Sequence, residues 1–385
     1  MASLLNSSEI SILGMNDHHH HHHHDTNHGG EEECPPLSTQ APAWQWVYSM
    51  QPAYMMAVSV TGITGNAFVL AVLSLHTRQH RTTADVYLAN LAAADLLLTC
   101  SLPFWVHAIL HEFRWVFGTA MCRLVSLLIG MNYLCSVLFL TVVSVDRYVA
   151  LARPLAHRRG RHRVALAWAV CGAVWVLSGL LTLPALLFRS VHILPELGVE
   201  ACILEYPHAD WRIRYNLTAN LVGFLIPVPI VAFSTYNILA VLNSSKQLRR
   251  SIATAASEGQ GGHHTERKAA SLVLAVLAMF VLCWLPFQLV LILDTLHHYK
   301  VISGCVLEDV LDIWTQLASC LGYSNSAINP FLYVMVGKHF RQRAGAILRS
   351  ITCRDRRTSG STHSPTTTVR SKYTECSAVA VDLKQ

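Results

Sequence analysis

Asp95 is isolated, because Val86–Ile109 contains no other Lys, Arg, Asp or Glu. Asn66, Asn132, Ser136, Asn325, Ser326 and Asn329 lie at comparable depth in runs that hold no charged residue. Asn132/Ser136 and Asn325/Asn329 are each spaced i, i+4, so each pair projects from one face of a helix. A carboxylate ringed by amides and hydroxyls is a hard-oxygen environment suited to a small cation or a trapped water. A purely structural hydrogen-bonded network fits the same residues equally well. Either way the centre of this protein is polar and open to rearrangement.

Two further groups of residues carry chemistry. Asp146-Arg147-Tyr148 closes the third apolar run, and an arginine at that depth needs an acidic partner, either Asp146 or Glu266. Phe280, Trp284, Phe287, Leu291 and Asp294 recur at intervals of four and three, which draws one stripe along a helix. Pro286 interrupts that helix and kinks it, and Asn329-Pro330-Phe331-Leu332-Tyr333 places a second proline break beside an amide. Kinked helices with an Arg–Glu latch are the parts of a two-state switch. Elsewhere, Glu196, Glu200, Glu205, Asp210, Glu308 and Asp309 read individually as solvated loop charges. Asp294 and Asp312 differ, because they top the sixth and seventh apolar runs and can face one mouth. Opposed carboxylates there would attract a cation and pair bidentately with guanidinium groups, which predicts a basic, arginine-bearing peptide anchored on aromatic side chains. Catalysis is not expected: the sequence shows no nucleophile–base motif, metal-ligand spacing or phosphate loop.

The elements that position these residues follow from hydropathy. Of 385 residues 52% are hydrophobic and only 14% charged, well short of the quarter typical of soluble domains. Val47–Leu75, Leu124–Val145, Val164–Phe188, Leu217–Leu242, Ala269–Leu293 and Ile313–Gly337 hold no charge, and Val86–Ile109 holds only Asp95. A helix needs about 20 apolar residues to cross a hydrocarbon layer about 30 Å thick, and all seven runs suffice. Helix is the form that satisfies its own backbone in lipid, whereas barrel strands would be about half as long and alternating. The fold class is therefore an all-α membrane protein, a bundle of seven transmembrane helices. Its expected organisation is an extracellular tail over 1–46, the bundle over 47–336, an amphipathic inner-leaflet helix over 337–352 and a disordered tail over 353–385.

Loop charge orients the bundle. With the first segment outside, the outer side carries fifteen acidic against six basic residues, and the inner side 23 basic against seven acidic. The loops Arg78–Arg81 and Arg153–Arg163 are purely basic, hence cytoplasmic, which leaves the N-terminus extracellular. The basic inner face explains the net charge of +6 without nucleic-acid binding. His18–His24 reads equally as native low complexity or as a tag. Asn6-Ser7-Ser8 is an outer glycosylation sequon, whereas Asn216 and Asn243 match the pattern at positions in or beside helices or the cytoplasm. Of the eleven cysteines only Cys34, Cys122, Cys202 and Cys305 are extracellular, and these four allow three pairings. A Cys122–Cys202 bridge would pin the second outer loop over the bundle, and Cys34–Cys305 would then tie the N-terminal segment to the last outer loop. Cys353 follows the basic amphipathic stretch Lys338–Ile351 and is a palmitoylation candidate.

Together these motifs resemble the rhodopsin-like G-protein-coupled receptors over about residues 47–350. The resemblance implies that Asp146, Arg147, Tyr148 and Tyr333 contact or gate the G protein, and that Trp284 and Phe280 relay ligand binding through the Pro286 and Pro330 breaks. It implies further that Asp95, Asn132, Ser136, Asn325 and Ser326 hold a sodium ion. Thr235 departs from the family, which often has a Tyr there, and the adjacent Tyr236 points elsewhere. Tyr323 stands where an opsin carries its Schiff-base lysine, and Ile129 where an amine receptor carries its aspartate, so both subclasses are excluded. Leu102-Pro103-Phe104-Trp105, Phe113-Arg114-Trp115-Val116-Phe117-Gly118, Trp284-Leu285-Pro286-Phe287-Gln288, Leu293-Asp294-Thr295-Leu296-His297, Tyr323-Ser324-Asn325-Ser326 and Val336-Gly337-Lys338 look like the bradykinin (kinin) receptors. By that resemblance Asp294 and Asp312 meet the peptide's arginine, and Trp105, Ile129, Phe287, Gln288, Trp314, Gln316 and Tyr323 line the pocket. Gly130 replaces the lysine of the subtype that takes the C-terminally trimmed kinin, which favours the intact peptide. The implied partners are a Gq-type G protein, then receptor kinases and arrestin reading Thr358, Ser359, Ser361, Thr362, Ser364 and Thr366–Thr368. Alternatives are a receptor for another basic peptide, such as angiotensin or a chemokine, and a transporter or channel, which would call for an internal repeat or paired intramembrane charges.

Overall fold

The apolar runs fold into long helices that outlast the lipid they cross. The computed structural model describes residues 42–75, 82–152, 160–194, 198–208, 210–252, 261–302, 305–336 and parts of 340–349. Among them α1 is Pro42–Leu75, α2 Thr83–Leu110, α3 Gly118–Ala152, α4 Gly160–Leu181, α6 Gly261–His298 and α7 Cys305–Val336. The fifth crossing, α5, runs in three parts: Asp210–Asn220, a π turn at Leu221–Leu225, and Pro227–Ile252.

The apolar runs measure lipid, not helix. So α1 starts at Pro42 rather than Val47, and α7 at Cys305 rather than Ile313. Asp294 and Asp312 therefore lie within helices instead of capping them. The fourth run is also not one rod. Pro184 lacks a backbone N–H, and the chain breaks at Thr182 before the short helix Leu183–Phe188. Among the described residues, six helices are long and apolar enough to cross a membrane. The seventh, α7, spans 32 residues but buries Thr315, Gln316, Ser319, Asn325, Ser326 and Asn329, so composition alone marks it weakly.

Packing follows from which stripe each helix buries. The bundle closes as a ring in which α7 lies against both α6 and α1, while α3 runs inside it and touches α2, α4, α5 and α6. Trp284, Tyr133, Tyr333, Phe139, Phe280, Phe287, Leu98 and Leu102 are its fully buried large side chains. Outward residues are apolar too: Leu282 is 65% and Leu166 62% exposed, a surface that only lipid covers without penalty. The inner end of α2 starts in a capping box. Thr82 accepts from the Asp85 N–H at 3.2 Å, and its own N–H donates to Asp85 Oδ2 at 3.0 Å. Past α7, Phe340, Ala344 and Ile347 pack on Val72 of α1, which seats one face of that segment against the bundle.

A hairpin covers the outer end. β1 (Arg189–Leu194) pairs antiparallel with β2 (Val199–Leu204), in a register that sets Val191 opposite Cys202. Cys202 is bonded to Cys122 at the start of α3, with a Cα–Cα distance of 5.6 Å across 80 residues of chain. Trp115 N–H donates to the Glu200 carbonyl at 2.7 Å and fixes the hairpin's second strand to the turn after α2.

Candidate functional site

Four layers of polar and aromatic side chains run down the bundle, each set by residues from several helices. In the outer layer Asp294 is only 7% exposed. Arg212 of α5 meets it as a fork: Nε donates to Oδ2 at 3.1 Å, and Nη2 donates to Oδ1. Asn216, one turn further along α5, donates to the same Oδ2 at 2.8 Å. The carboxylate expected to await a ligand's guanidinium is thus paired within the molecule. Asn216 itself is wholly buried, so its sequon is inside the protein.

A second arginine is buried at the start of the hairpin. Arg189 is fully buried, its guanidinium is 5.4 Å from the centre of the Trp105 ring, and its Nη1 donates to the Cys202 carbonyl at 2.8 Å. Trp105 leans on Trp115 at 5.2 Å. Ile129, Phe287, Gln288, Gln316 and Tyr323 are all buried, and Gln316 accepts from Gln51 of α1 at 3.0 Å. Trp314 does not join them: it is 46% exposed, and its indole N–H lies 3.4 Å from the Pro286 carbonyl.

The middle layer centres on Tyr133 of α3, which the sequence reading did not single out. Its hydroxyl donates to the Ala219 carbonyl at the start of the π turn (3.0 Å) and accepts from Gln288 Nε2 (2.8 Å). Its ring lies 4.6 Å from Trp284, stacks on Phe280 at 6.3 Å and tilts against Phe287 at 6.4 Å. Gly223 makes room for it, since a Cβ there would stand 2.3 Å from the tyrosine oxygen. A phenol alone in an apolar run, beside Asn132, was the available signal.

Beneath lies the Asp95 hub. Asn132 Nδ2 and Ser326 Oγ donate to Oδ1 at 2.9 and 2.7 Å, and Asn329 Nδ2 donates to Oδ2 at 2.8 Å. Asn329, expected in the polar centre but not among the sodium residues, takes the direct contact, whereas the Asn325 side-chain oxygen is buried without a hydrogen-bond partner. Asn66 donates to the Ser326 carbonyl at 2.8 Å, and Ser136 is buried. Unpartnered amide oxygens on Asn66, Asn325 and Asn329 beside a carboxylate match the donor set of a hard monovalent cation.

In the inner layer Arg147 donates to Asp146 at 2.8 Å and to Thr83 at 2.9 Å, while Thr83 donates to Asp146 at 2.7 Å. This closed triangle ties α3 to the first turn of α2. The side chains of Glu266, the other named partner, of Asp312 and of Cys305 lie outside the described residues, as do Asn6, Cys34 and Cys353. Tyr148 packs edge-on against Phe233 at 6.3 Å. Tyr333 and Thr235 are buried with unpartnered hydroxyls, and Tyr236 is 72% exposed.

The arrangement buries a charge pair at one end, holds a clasped arginine at the other and has one aromatic stack between them. Known proteins are similar to this chain in sequence. Residues 65–333 match the family described as 7 transmembrane receptor (rhodopsin family). The B2 bradykinin receptor of Mus musculus is 42% identical over 310 residues, covering 80% of this chain and 76% of the relative. The Homo sapiens B2 bradykinin receptor is 40% identical over 311 residues, covering 80% and 76%. The Homo sapiens B1 bradykinin receptor is 35% identical over 310 residues, covering 80% and 85%. The chain is a multi-pass membrane receptor, not an enzyme, and belongs to the rhodopsin family of seven-transmembrane receptors, in the group that contains the bradykinin receptors.

Proposed function

We propose that this chain is a plasma-membrane receptor for a kinin-like basic peptide, with its N-terminus outside. In this reading it signals through a Gq-type G protein to phospholipase C and calcium. The observation that carries the proposal is the similarity to B2 and B1 bradykinin receptors over four-fifths of the chain. That span includes Asp294, Trp105, Phe287 and Gln288.

The mechanism follows the four layers. A peptide arginine engages Asp294, with Asp312 as its second carboxylate, while apolar peptide side chains settle on Phe287 and Trp105. Gln288 lies one residue from Phe287 and bonds the Tyr133 hydroxyl, so a ligand that shifts either moves Tyr133 against Trp284 and Phe280. Trp284 sits two residues before Pro286, where the missing backbone bond makes α6 easiest to bend. Bending there displaces the inner half of α6, and a G protein then competes for the Arg147 clasp. Sodium, held by Asp95 with Asn132, Ser136, Asn325 and Ser326, would supply a positive charge that stabilises the resting packing of α2, α3 and α7. Phosphorylation of the tail hydroxyls by receptor kinases would create an anionic cluster for arrestin.

The test is calcium release in cells expressing the chain. Intact bradykinin should evoke it at lower concentration than the C-terminally trimmed peptide. Silence toward kinins, with a response to angiotensin or a chemokine, would overturn the assignment.

A further inference from the structure

The structure assigns Arg212 as a built-in occupant of the site that a ligand's guanidinium must enter. This inference rests on the kinin-like reading above. A carboxylate offers about four lone-pair directions. Arg212 fills two of them as a fork on both oxygens, and Asn216 fills a third. The side chain of Asp294 is 9% exposed and that of Arg212 35%, so the pair is open from the arginine side only. An incoming guanidinium therefore finds no free bidentate edge. It must evict Arg212, and it meets a like charge as it does so. The outer side carries fifteen acidic against six basic residues, so Arg212 opposes at this point the net field that draws the peptide in.

Arg212 consequently acts as an intramolecular competitor. It lowers affinity for peptides bearing an arginine at this position, and it spares Asp294 the cost of burial unpaired while the site waits. The exchange is a swap of one guanidinium for another on the same two oxygens. Once evicted, Arg212 is far enough exposed to be solvated.

The test measures equilibrium binding of labelled bradykinin, and of a twin with citrulline in place of arginine, to membranes carrying wild type, Arg212→Gln, Arg212→Lys and Asp294→Asn. Arg212→Gln should tighten bradykinin binding on the order of tenfold, within the usual range of coupling between sites. The neutral twin should be unaffected, which also reports a folded receptor. Arg212→Lys keeps the charge but gives up the fork, and should fall between the two. In the Asp294→Asn background Arg212→Gln should change nothing. Unchanged or weaker bradykinin binding to Arg212→Gln overturns the exchange and leaves the kinin reading intact. Tightening that survives Asp294→Asn overturns it in favour of a long-range field. Absence of bradykinin binding to wild type overturns both.

Discussion

Single side chains decide what this receptor can recognise. Asp294, near the end of α6, is buried and paired with Arg212 and Asn216 of α5. Replacing it together with Asp312 by alanine should raise the half-maximal bradykinin concentration for calcium release at least about tenfold, since losing one member of a close ligand–receptor charge pair costs roughly 2–5 kcal/mol. Unchanged potency with normal surface expression removes both from the binding site. The sequence made Asp294 legible through its place at the end of an apolar stripe. It did not reveal Arg212, because an arginine in a loop-like stretch 82 residues away carries no sign of its partner. Asn329 shows the same blindness at shorter range. It and Asn325 lie on one helix face, and only the exact rotation of α7 puts Asn329 on Asp95.

At the scale of elements, α5 carries the feature that most shapes the relay. Its π turn lets Gly223 approach α3 so closely that Tyr133 can bond the Ala219 carbonyl. Gly223→Ala places a methyl 2.3 Å from the tyrosine oxygen and, as overpacking, should cost about 1–3 kcal/mol. The readout is a lower melting temperature of the detergent-solubilised receptor. Tyr133→Leu in the same background should restore most of the loss by removing the ring that collides. If Gly223→Ala melts like wild type, the contact does not constrain α5. Helix existence was plain from hydropathy, because each apolar run exceeds the thickness of the bilayer. Helix ends were not, because α1, α5, α6 and α7 continue beyond the lipid, where composition changes but the backbone does not. The break at Thr182 was legible in Pro184, yet hydropathy alone ran straight through it.

On the scale of the whole molecule, topology rests on charge. The inner side holds 23 basic residues against seven acidic, and the outer side fifteen acidic against six basic. An epitope placed before Met1 should accordingly be reached by antibody on intact cells, and one placed after Gln385 only after permeabilisation. The reverse labelling pattern would invert the receptor and remove the acidic face from the ligand's side. The same charge distribution fits a cationic ligand approaching from outside and an inner surface held near anionic lipid. The Cys122–Cys202 bridge ties the hairpin to the start of α3 on that side.

Crossing number, the polar centre and the prolines inside the helices were determined by sequence alone, and loop charge supplies the expected orientation. Each depends on local composition read against a solvent of known thickness and dielectric. What only the tertiary structure decided is pairing: Arg212 on Asp294, Tyr133 on Ala219 and Gln288, Arg147 on Thr83. Those contacts join residues dozens to more than a hundred positions apart. They depend on the rotation and depth of each helix, which the packing of the whole bundle sets and no single segment encodes.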